Sequence, residues 1–561
     1  MSTLIGVIGP GIVGMPMAAL LARTEMAKGP AGARVLVVQR DSPTSGWKVP
    51  AINRGESPIG GVEPDLQTIV ESTVAAGHLA ATHDIKDLRD ADAVLVCVQT
   101  DKSGMGPDYG PLFAALDALA LVWRDRPKGL TPPLVAIEST LAPSSMSTVV
   151  RERFAAQGLV AERDVRLGNS PNRVMPGRLV ARVAASDKLV GGLSRETAAS
   201  IQRLYGGIVT GGTLHVTSSL TAEIVKTLEN AYRDVRIAFA AEVARWCDAE
   251  DIDFFRLRDA VNALVHQEDA ASGNATAVPS GALLVPTVGV GGHCLPKDGI
   301  LLWWRRHSSD PGAAAASLIL ASRGINDASP AHVIARTETL AGSLSGARVA
   351  VLGAAYRFDS EDTRNSPSLV LASSLRARGA LVTLHDPYVR SDDVNVRKYG
   401  LEGVFTNDLS GALAEATVLI AATGHGVYRD GLPGILEAAP AVTVLFDAAN
   451  LWHRNDFQES SVRYDGIGRG RLAPDEGLVR FVRDAFVAVE RGVANEVAGI
   501  ADYLNSNHAP NLEEQAQMDQ IRALAATCST GCLIPEPGSV QVPEAWRGFL
   551  PTLTRMAPLA H

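Results

Sequence analysis

Short apolar runs alternate with longer mixed stretches in two separate parts of the chain. The first part has runs at 4–8, 34–38, 93–98 and 134–137, and the second has runs at 348–352, 381–384, 418–422 and 442–446. Strands that are buried on both faces are nearly continuous in apolar residues, and their alternation with helical stretches is typical of parallel sheets. The pattern therefore predicts an α/β protein with two doubly wound lobes.

A long helical pattern separates the two lobes. Residues 221–249 contain no glycine or proline, and their apolar positions keep roughly helical spacing, which predicts a long central helix in a helical middle domain. A second amphipathic helix is predicted over 478–500, and the composition of 270–281 predicts a loop. The expected regions are 1–212, 213–340, 341–470 and a C-terminal extension, 471–561.

The composition excludes several classes of protein. The 561 residues carry a net charge of -9, which argues against general nucleic-acid binding. The five cysteines are few, odd in number and widely spaced, so we expect neither a disulfide framework nor a metal site. No apolar run approaches the roughly 18 residues that cross a membrane, and glycine and proline interrupt the apolar N-terminus, so we expect a cytoplasmic protein.

A glycine fingerprint follows the first strand. Gly9, Gly11 and Gly14 have the G-x-G-x-x-G spacing and open a predicted helix, which favours a dinucleotide-binding, Rossmann-like lobe over a merely structural turn. At the end of the second strand stand Gln39 and Arg40, where an acidic residue would normally bind the ribose. Glutamine can bond a ribose hydroxyl, whereas arginine could receive the 2′-phosphate of NADP; we favour NAD.

A second candidate site surrounds a cysteine. Cys294 lies in the segment GGHCLPKD at 291–298, and a thiol with charged neighbours can act as a nucleophile, although an isolated cysteine is more often a buried small residue. Lys226 and Asn230 are four residues apart on the predicted central helix and share a face. Such a pair can stabilise an oxyanion, or it can simply face solvent. A nicotinamide site and a nucleophilic cysteine together indicate oxidation through a thioester.

Several further blocks complete a pattern. They are NRGESP at 53–58, EST at 138–140, SPNRVMPG at 170–177, AEIVK at 222–226, AYR at 355–357, DTRNSP at 362–367 and DPY at 386–388. With the glycine fingerprint and the Cys294 segment, they resemble the UDP-glucose/GDP-mannose dehydrogenase family over about residues 1–470. The histidine before Cys294 is most similar to the branch that acts on the UDP-N-acetylhexosamines, with N-acetylmannosamine or N-acetylglucosamine as the sugar, because the UDP-glucose branch usually has serine there.

The resemblance implies a function. The family oxidises the C6 alcohol of a nucleotide sugar to a carboxylate, using two NAD and a cysteine thioester. It implies that 1–212 binds NAD, that 213–340 forms a homodimer through the central helix, and that 341–470 binds the UDP-sugar. The implied catalytic residues are Cys294, Lys226, Asn230, Asp298, Thr140 and Asn172. The implied NAD contacts are Gly9, Gly11, Ile12, Val13, Gly14, Gln39, Arg40, Thr100 and Thr140. The implied substrate contacts are Arg173, Lys226, Asn230, Gly291, His293, Tyr356, Arg357 and Arg364.

Two features depart from the family pattern. Asn172 stands where the family commonly has a glutamate that serves thioester hydrolysis, and an amide cannot act as a base; deacylation would then depend on Asp298 or be slow. The loop before Pro286 lacks an arginine that family members often place there. A UDP-glucose dehydrogenase, a two-electron dehydrogenase and a catalytically impaired homologue that binds nucleotide sugar remain alternatives. The extension lies outside the resemblance, and we expect its amphipathic helix to cover an apolar surface of its own chain or of a partner.

Overall fold

The computed structural model describes residues 4–29, 32–60, 63–126, 131–173, 177–271, 283–528, 531–540, 542–543 and 548–553. The predicted loop at 270–281 therefore lies almost wholly outside the described residues, as do residues 174–176 of the SPNRVMPG block. The chain divides into two compact units. The first comprises residues 1–229, 300–311 and 497–533, and the second comprises 230–299, 312–496 and 534–561.

The first unit is built on an eight-stranded sheet, accompanied by a two-stranded hairpin. The strands are β1 Leu4–Ile8, β2 Arg34–Val38, β3 Leu79–Thr82, β4 Ala93–Val96, β5 Asp101–Ser103, β6 Gly106–Asp108, β7 Leu134–Ile137, β8 Arg166–Asn169, β9 Lys188–Gly192 and β10 Leu214–Ser218. The sheet has the order β10-β9-β8-β7-β4-β1-β2-β3, and β5 pairs with β6. All neighbours in the large sheet are parallel except β8 and β9.

Helices cover both faces of this sheet. They are α1 Gly14–Met26, α2 Lys48–Asn53, α3 Leu66–Ala75, α4 Gly110–Arg124, α5 Arg151–Ala155, α6 Leu179–Ala185 and α7 Arg195–Tyr205. Two apolar clusters form the core, one containing α1 and the other containing α4. In α1, residues 14–22 are all buried, which explains why this helix is apolar around its whole circumference rather than along one stripe.

The middle of the chain is helical, as its pattern predicts. The helices are α8 Ser219–Ala249, α9 Phe254–Ala271, α10 Leu295–Ser309, α11 Pro311–Ala314, α12 Leu318–Asp327 and α13 Ser329–Ala341. The first unit includes α8 up to residue 229 and α10 from residue 300, and the second unit includes the rest of both helices. Among the helices that the structure describes, none combines the length and the apolar character that crossing a bilayer requires.

The second unit contains a fully parallel, six-stranded sheet. Its strands are β11 Arg348–Leu352, β12 Leu381–His385, β13 Phe405–Thr406, β14 Val418–Ala421, β15 Val444–Asp447 and β16 Arg463–Gly466, in the order β13-β12-β11-β14-β15-β16. Its helices are α14 Pro367–Ala377, α15 Val394–Lys398, α16 Leu409–Leu413, α17 Gly426–Asp430 and α18 Leu432–Ala438. The predicted α/β architecture with a helical middle region is confirmed; individual strands shift by one or two residues at their ends.

The extension is more ordered than its composition suggests. Helix α19 runs over Glu476–His508, longer than the predicted 478–500, and α20 follows at Met518–Ala526. The described residues 531–540 form no helix or strand, as expected. The amphipathic pattern of α19 places Val482, Phe486, Val489 and Val493 in the interior, where all four are buried.

Candidate active site

The glycine turn after β1 has the geometry of a dinucleotide site. Gly9 has φ of 93°, and a Cβ built there would lie 2.7 Å from the Cys97 carbonyl oxygen, while a Cβ on Gly14 would clash with the Gly9 carbonyl. Both positions therefore require glycine. Around Gly11 no atom lies within 4 Å of a built Cβ. Open space at the N-terminus of α1 allows a pyrophosphate to approach the backbone, so these residues fit a dinucleotide.

The residues that follow β2 are hydrogen-bonded to one another. The Gln39 amide nitrogen Nε2 donates to Ser45 Oγ at 2.9 Å and to the Arg40 carbonyl at 3.2 Å, while Arg40 is exposed. Lys48, which sequence reasoning missed, donates from Nζ to the Pro10 carbonyl at 3.2 Å, and burial lowers the pKa of this lysine. A lysine beside the glycine turn suits a pyrophosphate, but its place in the sequence carries no signal for that role.

The other predicted cofactor residues lie at the same edge of the sheet. Thr100 follows β4 and donates from Oγ1 to the Thr140 carbonyl, which follows β7, at 2.8 Å. Ile12 and Val13 lie in the glycine turn, and Ile12 is 40% exposed. Because carboxyl ends of parallel strands meet at one edge, this edge is where a dinucleotide binds in such sheets.

Asn172 belongs to a buried polar cluster around Glu138. The carboxylate of Glu138, 1% exposed, accepts hydrogen bonds from Lys188 Nζ at 2.7 Å, from Asn172 Nδ2 at 2.9 Å and from the Tyr205 hydroxyl. Burial and the Glu138 charge raise the pKa of Tyr205 well above its ordinary value. Asn172 thus serves as a hydrogen-bond donor to a carboxylate. Sequence reasoning missed Lys188 and Tyr205 and gave Glu138 no role, since nothing in their spacing connects them.

Arg173 lies beside this cluster but is engaged by its own chain. Its guanidinium donates to Glu229, to Thr527 Oγ1 at 2.9 Å and to the Leu524 carbonyl at 3.2 Å. Burial raises the pKa of Glu229, against the opposing charges of Arg173 and Lys226. The substrate contact expected of Arg173 therefore remains a prediction, and the extension supplies two of its present partners.

In the second unit, Cys294 is an exposed thiol at a helix start. Lys297 N and Asp298 N donate to the Cys294 carbonyl at 3.1 and 3.0 Å, so Cys294 is the residue that caps α10. The positive end of a helix favours a thiolate. By contrast, burial raises the pKa of Cys247 to about 12 and that of Cys97 well above its ordinary value, and Cys528 is buried.

Asp298 is the buried carboxylate one helical turn after Cys294. It has no exposed surface, and its Oδ2 accepts a hydrogen bond from Asn230 Nδ2 at 2.6 Å. Lys297 Nζ lies 3.9 Å from Asp298 Oδ1. The structure therefore joins two residues that the resemblance assigned to catalysis, Asn230 and Asp298. Lys226 lies in the part of α8 that belongs to the first unit, where it is buried.

The Gly-Gly turn before Cys294 packs on the loop after β11. A Cβ on Gly291 would clash with Tyr356, and Gly292 has φ of 85°. Gly292 N donates to the Arg364 carbonyl at 2.8 Å, and Asn365 Nδ2 donates to the Gly292 carbonyl at 3.0 Å. This packing brings Gly291, Tyr356 and Arg364 together with the cysteine segment, in which His293 is half-buried.

The two predicted arginines of this loop differ in their surroundings. Arg364 binds Asp362 with two nitrogens, at 2.9 Å from Nε and 2.6 Å from Nη2, and this pairing raises the pKa of Arg364. The Arg357 guanidinium lies 5.7 Å from the ring centre of Phe358, which is exposed. Arginine forks suit phosphate oxygens, so both side chains are candidates for diphosphate contacts.

A buried carboxylate fixes the backbone that leads into this loop. Asp386 accepts hydrogen bonds from Ala354 N at 2.8 Å, Ala355 N at 3.0 Å and His425 Nε2 at 3.0 Å. His425 Nδ1 accepts from Asp359 N at 2.8 Å, so Nε2 carries the ring proton and donates it to Asp386. These bonds hold the segment just before Tyr356 in one conformation.

Three family models match the chain. The NAD binding domain of the UDP-glucose/GDP-mannose dehydrogenase family matches residues 3–209, the central domain of that family matches 220–328, and its UDP binding domain matches 350–454. The extension, which begins after these matches end, contributes α19 and α20.

Related proteins and structures cover most of the chain. The UDP-N-acetyl-D-mannosamine dehydrogenase of Pyrococcus horikoshii is 30% identical over 472 residues, or 83% of this chain and 99% of that protein. The NDP-N-acetyl-D-galactosaminuronic acid dehydrogenase of Ralstonia nicotianae is 29% identical over 458 residues, or 80% of this chain and 96% of that protein. The crystal structure of the NDP-N-acetyl-D-galactosaminuronic acid dehydrogenase of Methanosarcina mazei has a TM-score of 0.71 and 31% identity, covering 84% of this chain and 96% of that one.

Proposed function

Because this chain belongs to the UDP-glucose/GDP-mannose dehydrogenase family, and is an NAD-dependent nucleotide-sugar dehydrogenase, we propose that it oxidises a UDP-N-acetylhexosamine at C6 to the uronic acid through a thioester on Cys294. The observation that carries this proposal is the exposed thiol of Cys294 at the start of α10, with Asp298 and Asn230 hydrogen-bonded to each other one turn away. A thiol at a helix start and a held carboxylate are what a covalent oxidation needs.

The chain's own residues have distinct tasks in this scheme. NAD, which the turn of Gly9, Gly11 and Gly14 would hold, would supply the hydride acceptor for each of the two oxidations at C6. Cys294 Sγ bonds to the aldehyde carbon, which retains the intermediate between the two steps. After the second oxidation the same sulfur holds the acyl group as a thioester, and water then releases the acid. The oxyanion role of Lys226 remains an expectation from the resemblance.

Hydrolysis of the thioester depends on Asp298 in this chain. Its carboxylate is fixed by Asn230 and can orient or deprotonate water. Asn172 cannot replace it, because an amide is not a base and its nitrogen already donates to Glu138. We therefore expect deacylation to be the slow step, with a thioester on Cys294 that mass spectrometry detects after the reaction is quenched.

Two observations support the choice of sugar. The histidine before the cysteine is the feature by which the sequence resembles the N-acetylhexosamine branch, and the names of the two relatives above include UDP-N-acetyl-D-mannosamine and NDP-N-acetyl-D-galactosaminuronic acid. The UDP binding domain supports a UDP-sugar as the substrate. We propose an N-acetylated hexosamine, with UDP-glucose as the competing substrate.

The experiment is a screen of UDP-sugars that counts NADH formed per sugar consumed. We expect two NADH and one uronic acid per molecule of at least one UDP-N-acetylhexosamine, among UDP-N-acetylmannosamine, UDP-N-acetylglucosamine and UDP-N-acetylgalactosamine, and far slower turnover of UDP-glucose. Cys294→Ala should form no acid, whereas Cys247→Ala, which removes a buried thiol of the same unit, should remain active. One NADH per sugar would indicate a two-electron dehydrogenase, and binding of every sugar without oxidation would indicate a non-catalytic homologue.

A further inference from the structure

The central helix is buried around nearly its whole circumference. Between residues 231 and 248 of α8, all of which the structure describes, Arg233 is the one exposed residue, and Ile237, Arg245 and Trp246 are partly exposed. A helix on a protein surface normally leaves a polar face in water. This stretch of α8 instead resembles a core helix, although it contains six charged residues, which are Arg233, Asp234, Arg236, Glu242, Arg245 and Asp248.

The extension supplies much of this cover. Phe486 of α19 packs against Phe239 of α8 with ring centres 5.3 Å apart, and the Tyr232 hydroxyl donates to Glu490. Phe549 then packs against Trp246, with ring centres 4.6 Å apart. The extension thus follows α8 along the second unit.

Polar contacts make this cover specific. The carboxylate of Glu242 on α8 accepts hydrogen bonds from Thr552 N and Leu553 N, both at 3.2 Å, and burial raises the pKa of Glu242. Glu496 of α19 accepts from Leu318 N at 2.9 Å and from the Ser317 hydroxyl at 2.5 Å. Buried carboxylates are costly unless they are hydrogen-bonded, so these partners tie the extension to one register on the middle helices.

We propose that the extension occupies, within one chain, the face of the central helix through which the family resemblance predicts a second subunit. A stable interface needs about 800 Å² from each partner. A helix with one exposed residue over eighteen positions, counted from 231 to 248, cannot offer that area. The extension therefore takes the place on α8 that a partner's helix would occupy, and the chain does not pair through α8. This inference is independent of which sugar is oxidised.

The first test measures the mass of the full chain by sedimentation, alone and with Arg233→Glu on the exposed position of α8. We expect the mass of one chain, 59.0 kDa. A two-chain mass that Arg233→Glu reduces to one would overturn the proposal, because pairing would then use α8. A two-chain mass that Arg233→Glu leaves unchanged would place pairing on another surface and agree with the proposal.

The second test compares two substitutions that are adjacent in α19. Phe486 is 3% exposed and Val487 is 38% exposed. Phe486→Asp should uncover α8, lower Tm by about 10 °C and cause self-association, because it removes a large apolar contact and buries a charge. Val487→Asp should change neither property.

Two outcomes of this comparison contradict the proposal. Equal behaviour of the two variants would mean that α19 does not cover α8. A two-chain parent that Phe486→Asp converts to single chains would mean that the cover comes from a second copy. If Phe486→Asp does not fold, the mass of the unaltered chain and of Arg233→Glu still decides the question.

Discussion

The two units of this protein contain buried carboxylates with the same kinds of neighbour and different surroundings. Glu138 in the first unit accepts a hydrogen bond from Asn172 at 2.9 Å, and Asp298 in the second accepts one from Asn230 at 2.6 Å. In each case an asparagine holds one carboxylate oxygen. The residue types alone would assign both clusters the same role.

The difference lies in what completes each cluster. Lys188 lies 2.7 Å from Glu138, and the Tyr205 hydroxyl also donates to it, so strong partners saturate that carboxylate. Lys297 lies 3.9 Å from Asp298, and the exposed Cys294 is one helical turn away. A carboxylate whose partners are a buried lysine and a buried tyrosine stabilises a fold, whereas a carboxylate one turn from an exposed thiol is placed to handle protons. We therefore expect the first cluster to matter for stability and the second for catalysis.

Asp298→Asn tests whether the Asp298 cluster serves catalysis. We expect kcat to fall by roughly 10²–10⁴-fold, because a general base is lost, while Tm changes little, because asparagine keeps an acceptor for Asn230. Steady-state NADH formation measures kcat, and thermal denaturation measures Tm. The matched variant Glu138→Gln should retain most of its activity per folded molecule. An unimpaired Asp298→Asn would remove the catalytic role from this cluster.

Glu138→Gln tests whether the Glu138 cluster stabilises the fold. It leaves Lys188 buried without its carboxylate, and we expect the free energy of unfolding to fall by about 3–5 kcal/mol. The double variant Glu138→Gln with Lys188→Met removes both charges, so it should recover much of this loss. Chemical denaturation of the parent, both single variants and the double variant measures the coupling. A double variant no more stable than Glu138→Gln alone would show that the ion pair contributes little.

Asn172→Glu should sharpen the comparison, because it places a second carboxylate against Glu138. The two carboxyls would share Lys188, so the pKa of one should rise and unfolding should become easier by about 1–3 kcal/mol. A carboxyl with a raised folded pKa contributes stability at low pH and loses it as pH rises through that pKa. The loss should therefore grow with pH, which Tm measured across pH tests.

The same variant carries an activity readout. If the missing carboxylate limits deacylation, Asn172→Glu should shorten the life of the Cys294 thioester in quenched-reaction mass spectrometry. Asn172→Gln, which keeps an amide, is the control for both readouts. No thioester in the parent and no gain in rate would leave Asn172 with a structural role alone.

Glu223 is another buried carboxylate of the first unit, and its hydrogen-bond donors are backbone groups. We expect its substitution to change stability less than the variants above. Its carboxylate accepts from Ser144 N at 2.8 Å and Met146 N at 2.9 Å, and burial raises its pKa from 4.5 to about 8. Since the folded pKa is raised, its stabilising contribution is complete below about 4.5 and declines as pH rises through about 8. Glu223→Gln should flatten this part of the Tm profile, whereas Glu152→Gln, at an exposed position, should not.

Much of the fold could be predicted because local patterns carry it. The apolar runs at 4–8 and 348–352 form the parallel strands β1 and β11 within their sheets. Residues 221–249, which contain no glycine or proline, form most of α8. The glycine turn could be predicted as well, because the backbone geometry of the turn after β1 requires glycine at positions 9 and 14. The part of the candidate site whose residues are neighbours in sequence could also be predicted, as with Cys294 and Asp298 at the start of α10.

The sequence by itself determined the α/β architecture, the family and the nucleophile segment, because each depends on periodicity or on residues close together in the chain. Only the tertiary structure decided that Asn172 donates to Glu138, that Lys188 neutralises it, and that Lys48 lies beside the glycine turn. It also decided that α19 covers α8 of its own chain. These contacts join residues far apart in sequence, and an amphipathic stripe or a charged side chain specifies that it needs a partner but not which one.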